Sequence, residues 1–385
     1  MIQLKDICDI YDCPHTTAKD EGKGYPLVRT PNVGKGRLIL DGIHRVSEDV
    51  YNSRNARAIP EEGDLILARE APVGNVSIIM DGQRVCLGQR VVLIKPKREL
   101  VDPHFLTYYL LSAEVQHRLK NHANGAVVAH LNVSDIRNLW VTLPELEEQV
   151  AIGKILRSID DKIELNRQIN DNLEQQAQAA FNNIIANTTS DKTVQLSEIA
   201  WLNPKRSISK GKVVRSIEMA HLPTTGSFPS GWEMKEYNGG MKFQNGDTLM
   251  ARITPCLENG KVAFVNFLED DEIAFGSTEY ITMTPKRQFA PEVLYFLVRN
   301  AEFIDFAVKN MNGSSGRQRV SADTIGTFEL PDITLEELHM LETIAREALT
   351  KIKYNSLENM RLAEMRDTLL PKLMSGELKI NEIDC

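Results

Sequence analysis

The chain repeats itself, and that repetition limits its folds more than any other feature. Gln3-Leu4-x-x-Ile7 recurs as Gln195-Leu196-x-x-Ile199, and Gly63-Asp64-x-x-x-Ala68-Arg69 recurs as Gly246-Asp247-x-x-x-Ala251-Arg252. Pro96-Lys97-Arg98 returns as Pro285-Lys286-Arg287, and Leu143-Pro144 as Leu330-Pro331. The offsets are 192, 183, 189 and 187, in one unbroken order. Four collinear matches at nearly constant offset define two copies of a unit of about 190 residues.

Each copy has the same grammar. Asp64-Leu65-Ile66-Leu67-Ala68, the alternating Val76, Ile78 and Met80, an Asp81-Gly82 turn and Arg90-Val91-Val92-Leu93-Ile94 before Pro96 predict hairpins of an antiparallel sheet. A helix follows, with Asp102 as N-cap and Pro103 in its first position. Its counterpart is expected from Pro291 through Leu294, Leu297 and Phe303. Polar glycine loops come next, Asn124-Gly125 in one copy and Asn312-Gly313-Ser314-Ser315-Gly316 in the other. Leu-Pro closes each globular part.

A long helix is predicted after each Leu-Pro. Ile152, Leu156, Ile159, Ile163, Asn166, Asn170, Leu173, Ala177, Ala180 and Ile184 alternate spacings of four and three, which is a coiled-coil seam. Leu341, Ala345, Ala348, Ile352, Asn355, Asn359, Leu362, Arg366, Leu369 and Leu373 repeat it 189 residues later. Gly153 is a breaker near the start of the first, Arg366 interrupts the apolar pattern of the second, and Pro371 is expected to end or kink it. Each helix would run about 40 residues, roughly 60 Å. With no other long partner in the chain, the two helices pair with each other.

The predicted fold is therefore α+β: two globular domains, 1–144 and 191–331, each followed by a helical segment, 145–190 and 332–385. The helices form an antiparallel coiled coil with pseudo-two-fold symmetry. Midpoint then meets midpoint, which places Asn166 near Asn359 and Asn170 near Asn355. Buried Asn penalises slips that would face it with Leu or Ile, so the four are candidate register-setting residues. The rival reading puts them on a solvated edge, with Ile169 taking the core place.

Composition excludes several classes. No apolar run reaches the roughly 18–20 residues of a membrane span. The opening Met1-Ile2-Gln3-Leu4-Lys5-Asp6 lacks the basic and apolar regions of a secretion signal. Five scattered Cys residues (Cys8, Cys13, Cys86, Cys256 and Cys385) fit reduced thiols, so a cytoplasmic location is expected. A net charge of −8 argues against a nucleic-acid partner at first sight. The acidity is local, however: residues 141–190 hold four basic against eight acidic residues, and 332–385 hold seven against eleven. The two larger segments are close to neutral, and the first holds six of the eight His.

No catalytic constellation emerges. There is no G-x-x-x-x-G-K-[ST] loop and no G-x-G-x-x-G opening a helix. Asn203-Pro204-Lys205 is a poor echo of the Asn-Pro-Pro-aromatic motif that grips an extruded base. Glu377-Leu378-Lys379 stands too far from Pro331-Asp332 for a nuclease site. Cys8, Cys13 and His15 lack a fourth ligand and standard finger spacing, so no metal site is expected. A binding module fits better than an enzyme.

Candidate nucleic-acid contacts lie in Gly-flanked loops or at strand ends. They are Lys35, Arg37, Arg69, Arg90 and His130 in the first copy, and Lys205, Arg206, Arg252, Arg317, Gln318 and Arg319 in the second. Arg and Gln suit bidentate contacts to guanine and adenine, and Gly loops admit phosphate close to the backbone. Any one of them alone reads more readily as a solvated loop charge than as a contact. Arg317-Gln318-Arg319 carries more weight because three such residues follow a Gly-Ser loop, and His130 occupies the equivalent place in the first copy.

Two strings add a resemblance that covers nearly the whole chain. Leu143-Pro144-x-x-Glu147-Glu148-Gln149-x-x-Ile152 through Asp160-x-x-Ile163-x-x-Asn166 is similar to the central region of type I restriction–modification DNA-specificity subunits. Leu362-x-x-Met365-Arg366-Asp367-x-Leu369-Leu370-Pro371-Lys372-Leu373-Met374-Ser375-Gly376-Glu377-Leu378 resembles their C-terminal region. The Gly125 loop is a looser match. The resemblance implies a non-catalytic subunit that reads a bipartite, asymmetric site in double-stranded DNA, one half per recognition domain, with the helix pair as a ruler. It implies two methylation subunits that bind S-adenosylmethionine and flip adenines for N6 methylation. Two ATP-driven restriction subunits would join them. No cofactor is expected in this chain, and S-adenosylmethionine, ATP and Mg belong to the partners. The alternatives are an orphan or phage-exclusion specificity factor without restriction, and a coiled-coil protein-interaction scaffold whose affinity would ignore salt.

Overall fold

A computed structural model describes residues 1–122, 130–286, 289–314 and 316–380. Asn124-Gly125, Arg287, Ser315 and Cys385 lie outside the described residues. The chain forms two compact units, one made of residues 1–162 and 362–385, the other of residues 163–361. The last part of the C-terminal helical segment thus belongs with the N-terminal globular part.

In the first unit, strands Cys8–Asp12, Val91–Pro96, Leu65–Ala68, Val76–Ile78 and Gly36–Arg37 form one sheet in that order. Only the last pairing is parallel. In the second unit, Ala200–Leu202, Tyr280–Pro285, Thr248–Ala251 and Val262–Phe264 repeat the order with antiparallel pairings. A short ribbon closes each unit, Ile2–Gln3 with Trp140–Val141 and Thr193–Gln195 with Glu329–Pro331.

The repeated Gly-Asp explains itself in this frame. Gly63 and Gly246 take φ of +84° and +87°, a conformation open chiefly to glycine. The carboxylate that follows then locks the turn: Asp64 accepts from the Glu61 amide and Asp247 from the Gln244 amide, both at 2.8 Å. Both carboxylates are buried, so each needs a cation. Lys95 supplies it for Asp64 at 2.7 Å, and Arg206 for Asp247 at 2.8 Å.

Helix Pro103–Leu111 starts as expected, with Asp102 accepting from the Phe105 amide at 2.8 Å. Its counterpart departs from expectation. The single helix predicted through Phe303 is two, Pro291–Val298 and Ala301–Lys309. Arg299 ends the first, and Asn300 caps the second by accepting from the Glu302 and Phe303 amides.

The long helices run Leu146–Asn187 and Leu335–Ser375. In the second unit their stretches pair antiparallel. Asn166 donates to Asn359 Oδ1 at 2.9 Å, and Asn355 donates to Asn170 Oδ1 at 2.8 Å. Asn166 and Asn355 are buried, and Asn170 and Asn359 are half-buried. The seam departs from a pure heptad near its end, where Phe181 is buried in place of Ala180, because this face meets the globular core of the second unit.

In the first unit, Arg366 donates to Asp160 at 2.8 Å, and Asp160 also accepts from the Tyr108 hydroxyl at 2.7 Å. The break in the apolar pattern is therefore a paired charge. Pro371 does not end its helix, which continues to Ser375. Only one turn remains beyond it, so one lost hydrogen bond is offset by packing of Leu369, Leu370, Leu373 and Met374 on the first core. Gly153 is a close-approach position, since a Cβ there would come within 2.5 Å of Asp102 Oδ1. No helix among the described residues is long and apolar enough to cross a membrane.

One buried acid opposes stability. Burial pushes the Glu174 carboxyl above its ordinary range, against the pull of the Tyr295 hydroxyl it accepts from. As pH rises through the ordinary carboxylate value, the unfolded chain ionises first, so stability falls until the folded carboxyl ionises too. Glu174→Gln should remove that fall and be about 1–2 kcal/mol more stable at pH 7, with little difference at pH 4. Urea titrations across this range test it. A variant less stable than wild type at pH 7 would contradict the sign.

Candidate nucleic-acid interface

The two arginines of the repeated motif end equivalent strands and are framed identically by backbone. Arg69 N–H donates to the Arg90 carbonyl and Arg252 N–H to the Glu279 carbonyl, at 2.9 and 3.0 Å. Leu131 N–H donates to the Arg69 carbonyl and Val320 N–H to the Arg252 carbonyl, at 2.9 and 3.0 Å. His130 and Arg319, the residues just before Leu131 and Val320, therefore hold equivalent places. A cis X-Pro bond follows in each copy, Ala71-Pro72 and Thr254-Pro255.

On this shared frame the side chains differ. In the first unit they form a chain of alternating charge. Arg69 is buried, donating to Asp12 at 2.9 Å, to the Leu131 carbonyl at 2.8 Å and to His130 Nε2 at 2.7 Å. A guanidinium only donates, so His130 Nε2 is an acceptor, and Nδ1 carries the hydrogen toward Glu70 at 3.0 Å. Arg90, in the left-handed region at φ +62° and well exposed, pairs with the other Glu70 oxygen at 2.9 Å.

In the second unit one carboxylate holds both arginines. Glu279 accepts from Arg319 at 2.8–3.0 Å and from Arg252 at 3.3 Å. The Arg319 hydrogen bonds hold its carboxyl below the usual range. Gln318 is half-buried, and its carbonyl accepts from Thr254 N–H at 3.0 Å. Arg317 is exposed with no ion-pair partner among the described residues.

The other candidates divide by burial. Lys35 and Lys205 are exposed, without an ion pair among the described residues. Arg37 is half-buried on Asp161 of the central helix. The Arg206 side chain, 7% exposed, is held by Asp247, Thr284 and Gln244. Arg37, Arg69 and Arg206 are thus all engaged by internal partners, and of the three Arg37 keeps the most exposure.

Sequence reasoning missed the acids. Glu70 was within reach of it, standing next to the repeated Ala-Arg. Glu279 has no such signal, because the residue in its place in the first unit is Arg90. The buried thiols Cys8 and Cys86 are pushed up to about 12 and about 11, so neither is a ready thiolate ligand at neutral pH.

Residues 1–175 match the family described as type I restriction modification DNA specificity domain. The MjaX specificity subunit of a Methanocaldococcus jannaschii type I restriction enzyme is 28% identical over 180 residues, 47% of this chain and 40% of that subunit. This match therefore spans less than half of that relative's length. The MjaIX specificity subunit of the same organism is 24% identical over 99% of this chain and 94% of its own. The S subunit of a type I restriction–modification system from M. genitalium shares the fold, with a TM-score of 0.59 at 16% identity over 97% of this chain and 95% of that one. With its repeated unit and a long helix after each copy, the chain is similar along nearly its whole length to DNA-specificity subunits of type I restriction–modification systems, and residues 1–175 carry the match to their specificity domain.

Proposed function

We propose that this chain is the non-catalytic subunit that reads a bipartite, asymmetric site in double-stranded DNA, one half per unit. What supports this reading is one arginine-bearing strand end built twice with different side chains around it: Arg69, Glu70, Arg90 and His130 in one copy, Arg252, Glu279 and Arg319 in the other. A duplicated frame with unlike side chains suits two unlike half-sites. In this proposal two methylation subunits and, in a restricting assembly, two restriction subunits dock on the chain in the cytoplasm. S-adenosylmethionine, ATP and Mg are held by those partners. The four Asn residues fix the register of the helix pair.

Long-read detection of methylated adenine in cells with and without the gene tests the function. A bipartite motif should vanish with the gene, and no change would defeat the proposal. In the assembled methyltransferase, Lys35→Ala, Lys205→Ala and Arg317→Ala should weaken binding to all sequences alike. Each should reduce the salt slope by about one for every phosphate it no longer neutralises. Salt-independent binding would favour the protein scaffold instead.

A further inference from the structure

We propose that Glu279 is a positioning residue for sequence readout, presenting Arg319 to a guanine in the half-site read by the second unit. This rests on the DNA-reading function proposed above and adds both the base and the residue that orients its reader.

The backbone of Arg319 is fixed before its side chain acts. Its N–H and C=O both pair with Asn312, at 2.9 and 2.8 Å, and the next residue is tied to the Arg252 strand end. From that anchor the guanidinium reaches Glu279, which takes Nε and Nη2, while Nη1 donates to the Arg317 carbonyl at 3.1 Å. Glu279 is itself held, with its amide on Ser277 Oγ at 3.1 Å and its carboxylate steadied by Arg252.

Three of the five guanidinium N–H groups are then engaged, and one remains on each terminal nitrogen. Two parallel donors are what the O6 and N7 of guanine accept in the major groove. The Arg319 side chain remains 40% exposed, while Glu279 is mostly covered at 23%. A flexible arginine loses rotamer freedom on binding, and one already clamped by a carboxylate loses less. Phosphate attraction alone gives no reason for such a clamp, because an adjacent carboxylate weakens it.

The first unit shows that the clamp is not a by-product of the fold. The same backbone place there carries His130, whose ring is shared between Glu70 and Arg69 and offers no fork. The guanine contact argued from this backbone place accordingly belongs to the second unit.

The test uses the assembled methyltransferase and a duplex library varied at every position of its site. Glu279→Gln should lower discrimination for guanine about tenfold at one position of one half-site, leaving all other positions and the salt slope unchanged. Arg319→Ala should abolish the preference at that same position. Arg319→Lys should not restore it, because a point charge lacks the fork. Unaltered preferences in Glu279→Gln overturn the inference. So does an Arg319→Ala variant that weakens every sequence alike and flattens the salt slope. If Glu279→Gln does not fold, Arg319→Lys decides, since full guanine preference with Lys overturns it. A wild-type complex with no sequence preference would instead defeat the DNA-reading proposal itself.

Discussion

Changing Asn166, Asn170, Asn355 and Asn359 together to Leu is expected to make the protein more stable and less exact. In the second unit these side chains bond to one another across an antiparallel pair, and two of them are buried. Four leucines would bury apolar surface in their place, at roughly 1.5–3 kcal/mol per fully buried side chain. Part of that gain is lost, because the Ser356 hydroxyl and the Ile163 carbonyl would no longer receive the bonds that Asn170 and Asn359 donate to them. A net gain of about 2–4 kcal/mol remains, or several degrees in melting temperature.

The cost falls on uniqueness. An Asn pair matches only its own register, whereas leucines match any register a heptad away. A one-heptad slip moves one helix about 10 Å along the other, close to three base pairs at 3.4 Å each. The methylated motif of the quadruple variant should therefore show more than one spacer length. A single unchanged spacing in a stabilised variant would show that the Asn residues do not govern the ruler.

Arg206→Ala is expected to be the most damaging single change among the basic candidates, and to act on folding rather than on DNA. Arg206 and Asp247 are a buried pair, with side chains 7% and 0% exposed. Removing the arginine leaves a fully buried carboxylate with its cation gone, which costs about 3–5 kcal/mol. Arg317→Ala, by contrast, should change stability by less than about 0.5 kcal/mol. Denaturant titrations followed through Trp232, which stacks on Phe267 in the second unit, distinguish the two. The companion change Arg206→Met with Asp247→Asn should recover part of the loss, since it removes both charges while the Asn oxygen can still accept from the Gln244 amide. A loss under about 1 kcal/mol for Arg206→Ala would mean that water or another donor reaches Asp247.

These two cases mark where sequence is a good guide. The duplication, the helices and the Asn pairs are periodic features, and a 3.5-residue seam is written in spacing alone. Asp102 was legible as a helix cap because its bond is local, three residues along the chain. The arginines were harder to read. Arg69 meets Asp12 across 57 positions and Arg206 meets Asp247 across 41, so nothing near either residue says that its charge is already taken. The split of the Pro291 helix turned on Asn300, whose capping role competes with a continuous apolar pattern. The Glu279 clamp joins residues 40 apart with no counterpart in the other copy.

The discontinuous first unit has a consequence for synthesis. A ribosome that has made residue 361 has delivered every residue of the second unit, yet the first still lacks Leu369, Leu370 and Leu373 from its core. The part made first is thus completed last, and its apolar face stays open for the time needed to make about 200 residues, tens of seconds at usual translation rates. Over that interval the N-terminal half depends on whatever shields nascent chains, while the C-terminal half can fold as it emerges.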